Sequence, residues 1–377
     1  MVSVDVLVLG GGPAGMAVAL TLANHGALSV AVVERTPYEG DRIGETLSPG
    51  VVPLLHYLGV WGRFVADEHQ TSFGTAAAWG SESVVMRDYL YTPFGPGWHL
   101  DRVRFDASLA AAAEAAGATV WRESTVSGLR RSPDAGWDAV LTRAGVDEPV
   151  HARFVVDATG KAAAIAKAQG ARRRSYDRQV AVAGVLRFAD GGSEDTFTLV
   201  EAVEDGWWYS TRLPNADRMV AFVTDSDVAR SRGVASPAAW FAALRGTVHT
   251  RERGEGGALV GAVRVHPARS SRLDRVTGDR WIAVGDAAAS VDPLSASGIP
   301  RALDAGIHAA RGIEALLRRG DATLLEGYEG RIRAGFESFL DTRAQYCAIE
   351  RRWPDSSFWQ RRAPSADARG TRASGPG

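Results

Sequence analysis

A continuous apolar run, Val4 to Leu9, breaks off at three consecutive glycines, and that junction constrains the fold more than any other feature of the chain. Unbroken apolar character without alternation marks a strand buried on both faces. Pro13 to His25 follows with apolar residues at helical spacing, and Gly26 stands where a helix would stop. Ser29 to Val33 is a second buried strand, closed by Glu34. Together they make a strand–helix–strand unit of about 30 residues, half of a doubly wound parallel sheet. Within it Gly10, Gly12 and Gly15 match G-x-G-x-x-G, with Pro13 and Ala14 in between. The first glycine permits the tight turn, the second lets backbone approach a pyrophosphate, and the third lets helix pack on strand. The helix N-terminus adds free amides and partial positive charge. Glu34 stands where a carboxylate accepts hydrogen bonds from ribose hydroxyls and disfavours a 2′-phosphate, although adjacent Arg35 weakens that second inference. A structural glycine turn is the plain alternative. The strand before, the helix after and the acid in place favour a dinucleotide.

Further along, Leu47 to Leu58 reads as a helix, and Phe105 to Ala116 as an alanine-rich helix following Asp101 and Arg102. Thr119 to Arg122, Trp137 to Thr142 and Arg153 to Asp157 read as strands, the last leading into Ala158-Thr159-Gly160. From Val180 to Thr224 the pattern alternates and is rich in β-formers, which predicts an antiparallel sheet facing substrate. Arg280 to Gly285 returns to the buried-strand style, and Gly298 to Arg318 is a long helix with more helix from Gly320 to Tyr346. The fold expected is α/β: a Rossmann-like domain of glutathione-reductase type, residues 1–178 and 270–345, with an inserted antiparallel β-sheet domain, 179–269. Residues 346–377 form a C-terminal segment whose small, polar end, Ala363 to Gly377, reads as a disordered tail.

Composition narrows the partners. A formal charge of -1 gives no basic field for nucleic acid or an anionic membrane surface. No apolar run is long enough for a membrane span, and Met1 runs straight into a strand with no leader-like segment. The single cysteine, Cys347, excludes an internal disulfide and suits a reducing cytoplasm, the expected location. The eight histidines show no metal-ligand spacing, so no metal is expected. His99 beside Trp98, and His56 in an apolar helix, are candidates for a cavity wall, with a satisfied structural histidine as the plainer reading of each.

A second motif decides which dinucleotide. Trp281 to Val284 is a strand followed by Gly285-Asp286-Ala287-Ala288, and Asp292-Pro293-Leu294-Ser295-Ala296-Ser297-Gly298-Ile299 opens the long helix. A nicotinamide dehydrogenase has no need of either. Between the extremes lies Arg42-Ile43-Gly44-Glu45-Thr46-Leu47-Ser48-Pro49. With these stretches the chain resembles the flavin-dependent halogenase and aromatic-hydroxylase superfamily. Arg42 to Gly50, Gly206-Trp207-Trp208-Tyr209-Ser210, and Glu350 to Pro354 with Phe358-Trp359 point to its branch of tryptophan-modifying flavoproteins that mature quinone-cofactor enzymes. The resemblance implies FAD as cofactor. Asp286 would bond the ribityl chain, and Gly285 would let backbone approach the phosphates. Pro293, Ser297, Gly298 and Ile299 would pass the flavin ring with helix amides toward its N1 and C2 edge. Arg42, Gly44, Glu45 and Thr46 would lie along the isoalloxazine edge. Arg102 would stand near the ribityl and phosphate region, and Val126 would be a further cofactor contact.

Departures from the family bear on activity. Halogenases carry a lysine that relays hypohalous acid; the matching stretch here is Thr71-Ser72-Phe73-Gly74-Thr75. They also carry Trp-x-Trp-x-Ile-Pro, whereas this chain has Trp207-Trp208-Tyr209-Ser210-Thr211-Arg212-Leu213-Pro214. Halogenation is therefore disfavoured. Gly254-Glu255-Gly256-Gly257-Ala258-Leu259 reads as a loop and not a second nucleotide site, so NAD(P)H would visit transiently or a separate flavin reductase would supply electrons. The activity expected is O2-dependent hydroxylation of an electron-rich aromatic, indole-like and either free or in a polypeptide, through a flavin C4a-hydroperoxide. Trp79, Trp98, Trp207, Trp208 and Tyr209 are the candidate cavity walls. An FAD-dependent reductase or dehydrogenase is the alternative. A precursor polypeptide docking on Arg351, Arg352, Trp353 and Trp359 is compatible with either, and the sequence leaves the oligomeric state open.

Overall fold

A computed structural model describes residues 1–26, 28–40, 42–133 and 136–362 of the chain. The tail expected at 363–377 lies outside the described residues. The chain divides into two compact units. The first comprises Met1–His69, Trp98–Tyr176 and Ser270–Ala334; the second comprises Gln70–Gly97, Asp177–Arg269 and the described residues from Gly335 onward. These bounds differ from those expected from sequence in that 70–97 and 335–345 fall in the second unit, together with the described part of the C-terminal segment. Sheet pairing gives the reason for the first difference: Gly74–Ala78 pairs in parallel with Thr198–Val203. No local pattern announces a partner so far along the chain.

The first unit is built on a parallel sheet. Val2–Leu9 is central, with Val30–Val33 on one side and Val146–Asp157 on the other. Thr119–Trp121 extends the sheet beyond the second strand, and Trp281–Ala283 extends it beyond the third. Register runs Leu9 to Val33 and Leu9 to Asp157, so the carboxyl ends of these strands share one edge. That edge is where ligands sit in open parallel sheets. Trp137–Arg143 and Ser124–Arg131 add an antiparallel arm to Val146–Asp157. Val6, Leu7, Val8, Ala31 and Val32 are all almost wholly enclosed, which explains their unbroken apolar run.

Two helices cover the central strand. Pro13–His25 has the span expected, its proline in the first turn where no N–H is missed. Gly298–Arg319 packs on it through a glycine: a Cβ on Gly306 would lie 2.5 Å from the Ala14 carbonyl oxygen and 2.8 Å from the Ala17 Cβ. The helix expected from Leu47 begins later. Thr46 and Leu47 pair with His99 and Trp98 as a short strand, and Pro49 then opens a 3-10 turn before Val52–Tyr57. Arg102–Ala115 is capped by Asp101, whose carboxylate accepts from the Arg104 amide at 3.0 Å.

The second unit carries the expected antiparallel strands, Gln179–Arg187, Thr198–Val203, Gly206–Arg212 and Arg218–Asp225. Ala258–Pro267 joins one edge, beyond Gln179–Arg187. The segment read as a loop therefore differs: His249–Gly254 is a helix, three residues turn, and a strand starts at Ala258. Glu201 secures that helix, accepting the amides of Val248, His249 and Thr250. One face of this sheet is closed by Trp208, Phe222, Val220 and Leu186 against Trp240 and Leu244 of the helix Pro237–Arg245. No described helix is long and apolar enough to cross a membrane.

The contact at Gly306 yields a prediction with a definite sign. Alanine in an exposed helix interior gains about 1 kcal/mol over glycine, but overpacking costs about 1–3 kcal/mol. Gly306→Ala is expected to lower stability in urea denaturation by about 1 kcal/mol or more. A variant more stable than the parent would show that these helices are not in tight contact.

Candidate functional site

Four segments gather at the carboxyl edge of the parallel sheet in the first unit. The turn after Val2–Leu9 places Gly10 at φ +110°, in the region where glycine is favoured, and a Cβ there would lie 2.2 Å from the Ala158 carbonyl oxygen. Gly10 thus presses on the segment that follows Val146–Asp157. Asp157 holds that segment, accepting from the Thr159 amide at 3.1 Å, its hydroxyl at 2.6 Å and the Ala166 amide at 2.9 Å. Gly12 caps the first helix with no side-chain hydrogen bond, and nothing lies within 4 Å of where its Cβ would be. Helix amides and open space therefore coincide at Gly12, which is what an incoming pyrophosphate requires.

The Gly-Asp segment meets this loop directly. Gly285, at φ +56°, sits so close that a Cβ would be 2.7 Å from the Ala14 Cβ and 3.5 Å from the Ala302 Cβ. The 3-10 turn Gly285–Ala287 hence stands against both helices. Asp286 keeps part of its surface open although protein atoms crowd it. That crowding raises its carboxyl above the ordinary range, and Lys161, Arg173 and Arg102 oppose the rise. Arg173 shapes the turn: Nη2 donates to the Asp286 carbonyl at 3.1 Å and the Ala287 carbonyl at 2.6 Å, and Nη1 to Ser271 Oγ at 3.0 Å. Next in chain order, Asp292 accepts the Leu294 amide, Ala296 is left-handed, and Ser297 leads into Gly298–Arg319 without a side-chain cap. Pro293 and Gly298 are exposed and Ser297 half-buried, whereas the Ile299 side chain enters the core.

Glu34 is more occupied than expected. Its Oε2 accepts the Gly11 amide at 2.8 Å, and Oε1 accepts the Thr36 amide at 3.0 Å and the Thr36 hydroxyl at 2.6 Å. A carboxylate oxygen has two lone pairs, so Oε2 retains acceptor capacity beyond the Gly11 amide. Arg35 is exposed. Val126 lies on the strand Ser124–Arg131, whose first amide donates to the Glu34 carbonyl. Tyr38 is a residue that sequence reasoning missed. Its ring is buried and its hydroxyl donates to the Gly11 carbonyl at 2.9 Å; burial, with Glu34 and Asp106 nearby, pushes that hydroxyl well above the usual phenol range.

Arg42 and Arg102 converge on a second missed residue, Asp106. Arg42 Nη1 bonds its carboxylate at 2.7 Å, while Nη2 donates to Thr36 Oγ1 at 2.8 Å and stands 3.9 Å from Glu34. Arg102 Nη2 reaches Asp106 at 3.1 Å, and its Nη1 donates to the carbonyls of Ile43 and Gly44. The loop from Arg42 to Glu45 is thereby tied to the helix Arg102–Ala115. Glu45 is buried with Oε1 lacking a hydrogen-bond partner among the described residues, and burial raises its carboxyl above the ordinary range. Thr46 pairs with His99 across the short strands. Only the i, i+4 spacing of Arg102 and Asp106 could have signalled this clamp.

The aromatic candidates separate. In the first unit, Trp98 packs edge-on against Trp61 and Phe64, and His99 is fully enclosed, so His99 has no surface to offer a cavity. In the second unit, Trp208 points into the core, stacked on Phe222 at 5.0 Å and beside Trp240 at 5.6 Å. Trp208 is corrected from cavity wall to core. Strand alternation sends Trp207 and Tyr209 to the opposite face, where Trp207 meets Trp79 at 6.4 Å. Trp207 is itself buried, while Trp79 and Tyr209 keep part of their surface. The docking surface expected at the C-terminal segment is also corrected in part. Trp359 is buried, donates to the Val203 carbonyl at 3.0 Å and packs on Trp79 at 5.3 Å. The described residues hold no group of three or more His, Cys, Asp or Glu that could bind a metal.

Comparison with known proteins agrees with this geometry. Residues 3–342 match the model of the FAD binding domain. The protein named as FAD-dependent oxidoreductase LodB in Marinomonas mediterranea is 30% identical over 370 residues, covering 96% of this chain and 97% of its own. The solved structure of CmlS, a flavin-dependent halogenase, superposes with a TM-score of 0.86 at 26% identity, over 99% of this chain and 70% of that one. The peptidyl tryptophan dihydroxylase QhpG, essential for tryptophylquinone cofactor biogenesis, has a TM-score of 0.78 at 26% identity, over 96% of this chain and 78% of that one. The chain belongs to the FAD binding domain family, within the superfamily of flavin-dependent halogenases and related hydroxylases.

Proposed function

We propose that the protein is a monooxygenase that places one oxygen atom of O2 on an electron-rich aromatic ring, indole-like, free or within a polypeptide. The observation that carries the choice over halogenation is the distribution of lysine. The chain has two lysines, and neither lies at Thr71–Thr75, where the halogenases carry theirs. Lys161 stands in the turn Gly160–Ala162 and acts on Asp286, while Lys167 is exposed on the helix Ala164–Ala168. The likeness to QhpG supports tryptophan as the kind of ring modified. NAD(P)H visiting transiently, or a separate flavin reductase, would supply the electrons, and a cytoplasmic setting suits both.

FAD would be held by groups that fit it. Amides at Gly12–Gly15 would take the diphosphate, Glu34 Oε2 a ribose hydroxyl, and Asp286 the ribityl hydroxyls. Amides at the start of Gly298–Arg319 would face the negative edge of the reduced ring. When bound and reduced, FAD supplies the electrons that activate O2, one oxygen atom leaving as water. The chain's part is to position and shield. Arg173 holds the Asp286 turn in shape, the Arg42–Asp106–Arg102 clamp sets the loop through Gly44 and Glu45, and Trp79 and Tyr209 offer ring faces to an aromatic guest.

Two experiments follow. Arg173→Gln removes a forked donor from two carbonyls and is expected to weaken FAD binding about 10-fold or more, read by flavin fluorescence, with Arg173→Lys recovering only part. Unchanged affinity in both variants would mean that the turn needs no such brace. For activity, the reduced holoenzyme is supplied with 18O2, bromide and a tryptophan-containing peptide or free indole, and products are weighed by mass spectrometry. The proposal expects 18O in the ring and no bromine. A brominated product, or turnover that proceeds without O2, would overturn it.

A further inference from the structure

The second unit holds a group of cations that the proposed chemistry does not use. Arg212 and Arg218 stand opposite each other on the paired strands Gly206–Arg212 and Arg218–Asp225, on the face that also carries Ser210. Arg253, from the helix His249–Gly254, reaches over that face and donates to the Phe197 carbonyl at 2.7 Å and the Ser210 carbonyl at 3.5 Å. One carboxylate, Asp195, pairs with Arg253. The charged groups acting on Arg218 are Arg253, Arg212 and Asp195, so among the described residues one carboxylate stands against two neighbouring guanidinium groups at Arg218. Nearby Asp217 does not supply a second, since Arg187 already engages both its oxygens, at 2.9 Å and 2.7 Å.

Donors are left over as well as charge. Arg218 is 1% exposed, and its Nη2 donates to the Ser193 carbonyl at 3.1 Å while Nη1 has no partner among the described residues. Arg212 Nη1 donates to Gln70 Oε1 at 2.9 Å while its Nε has no partner among the described residues. Ser210 Oγ, also fully enclosed, has none either. Burial and the two neighbouring arginines bring the Arg218 guanidinium down to about 10, the response of a cation held among cations. A buried charge without compensation is costly, and so is each buried donor without an acceptor. Both costs fall on one sheet face, at the paired residues Arg212 and Arg218 and at Ser210 on the same strand as Arg212. The Asp195 side chain is 36% exposed, so solvent reaches the edge of the group.

We infer that Arg212, Arg218 and Arg253 form a binding site for a phosphate-type oxyanion, a use distinct from the flavin chemistry. A tetrahedral dianion matches the surplus of positive charge. It also offers acceptors for two guanidinium N–H groups and a hydroxyl, and guanidinium forks suit phosphate geometry. A carboxylate carries half that charge and is the poorer match. The source is either free phosphate or the phosphate of a nucleotide, which share this chemistry.

The test uses FAD-loaded protein, so that phosphate has no access to the flavin diphosphate site. Thermal melting is followed while inorganic phosphate replaces chloride at constant ionic strength. The parent is expected to gain a few degrees in a saturable way. Arg212→Gln is expected to shift half-saturation about 10-fold or more, whereas Arg230→Gln on the helix Ser226–Ser231 leaves it unchanged. Equal melting of the parent in phosphate and chloride would overturn the site, as would Arg212→Gln titrating like the parent. Arg218→Met adds a second reading: it should raise melting in chloride by removing surplus buried charge, and should abolish the phosphate response. A fall in chloride with the phosphate response intact would assign Arg218 to structure alone and overturn its place in the site. If Arg218→Met does not fold, the Arg212→Gln titration still decides. Adenosine 2′-monophosphate competing with phosphate would place the source in a nucleotide, and failure to compete would place it in the free ion.

Discussion

Much of the first unit depends on one close approach, between the opening turn of the helix Pro13–His25 and the two segments that press on it. Ala14 offers its methyl to Gly285 and its carbonyl to Gly306, and neither neighbour could carry a side chain without displacing backbone or methyl. On the other side, Gly10 lies against the Ala158 carbonyl. Three strand ends and two helices are thereby brought to a spacing that only small residues permit. The amides at Gly12 owe their usefulness to this crowding. A Cβ on Gly10, Gly11 or Gly15 would meet protein atoms at 2.0–2.2 Å, whereas one on Gly12 would meet nothing within 4 Å.

Electrostatics follows from the same geometry. Asp286 is crowded by protein atoms, which disfavour its charge, and three cations from separate segments oppose that effect. Arg173 spends its donors on carbonyls of the turn and leaves the Asp286 carboxylate available. Asp106 works differently. Its side chain is wholly enclosed, and two arginines close on it so that a loop rich in backbone freedom is held to a helix. A buried ion pair gives little net stability against an apolar packing, but it specifies one arrangement of that loop.

The second unit shows how one strand can serve two purposes. Along Gly206–Arg212, Trp208, Ser210 and Arg212 face one way and Trp207 and Tyr209 the other. The first set closes an apolar core and then, toward the strand end, becomes a cluster of arginines. The second set presents aromatic rings. A shift of one residue in register would exchange these surfaces, so the pairing of Arg212 with Arg218 determines both.

What the amino-acid sequence determined by itself was the set of local and strongly patterned features. The apolar runs, the helix Pro13–His25, the glycine turn and the Gly-Asp strand end were legible because backbone sterics and buried-strand patterning act over a few residues. Alternation likewise announced the antiparallel strands between Gln179 and Asp225. What only the tertiary structure decided was which distant groups share a space. Tyr38 and Arg173 carry no local signal, because their roles come from partners 27 to 114 residues away, and Asp106 shows only its i, i+4 spacing from Arg102 while its other partner, Arg42, lies 64 residues away. The helix expected at Leu47 gave way to strand pairing with Trp98, and Trp208 packed against Phe222 and Trp240 while Trp207 and Tyr209 took the opposite face. In each case a long-range contact outweighed a local preference, since pairing and burial contribute more free energy than propensity does.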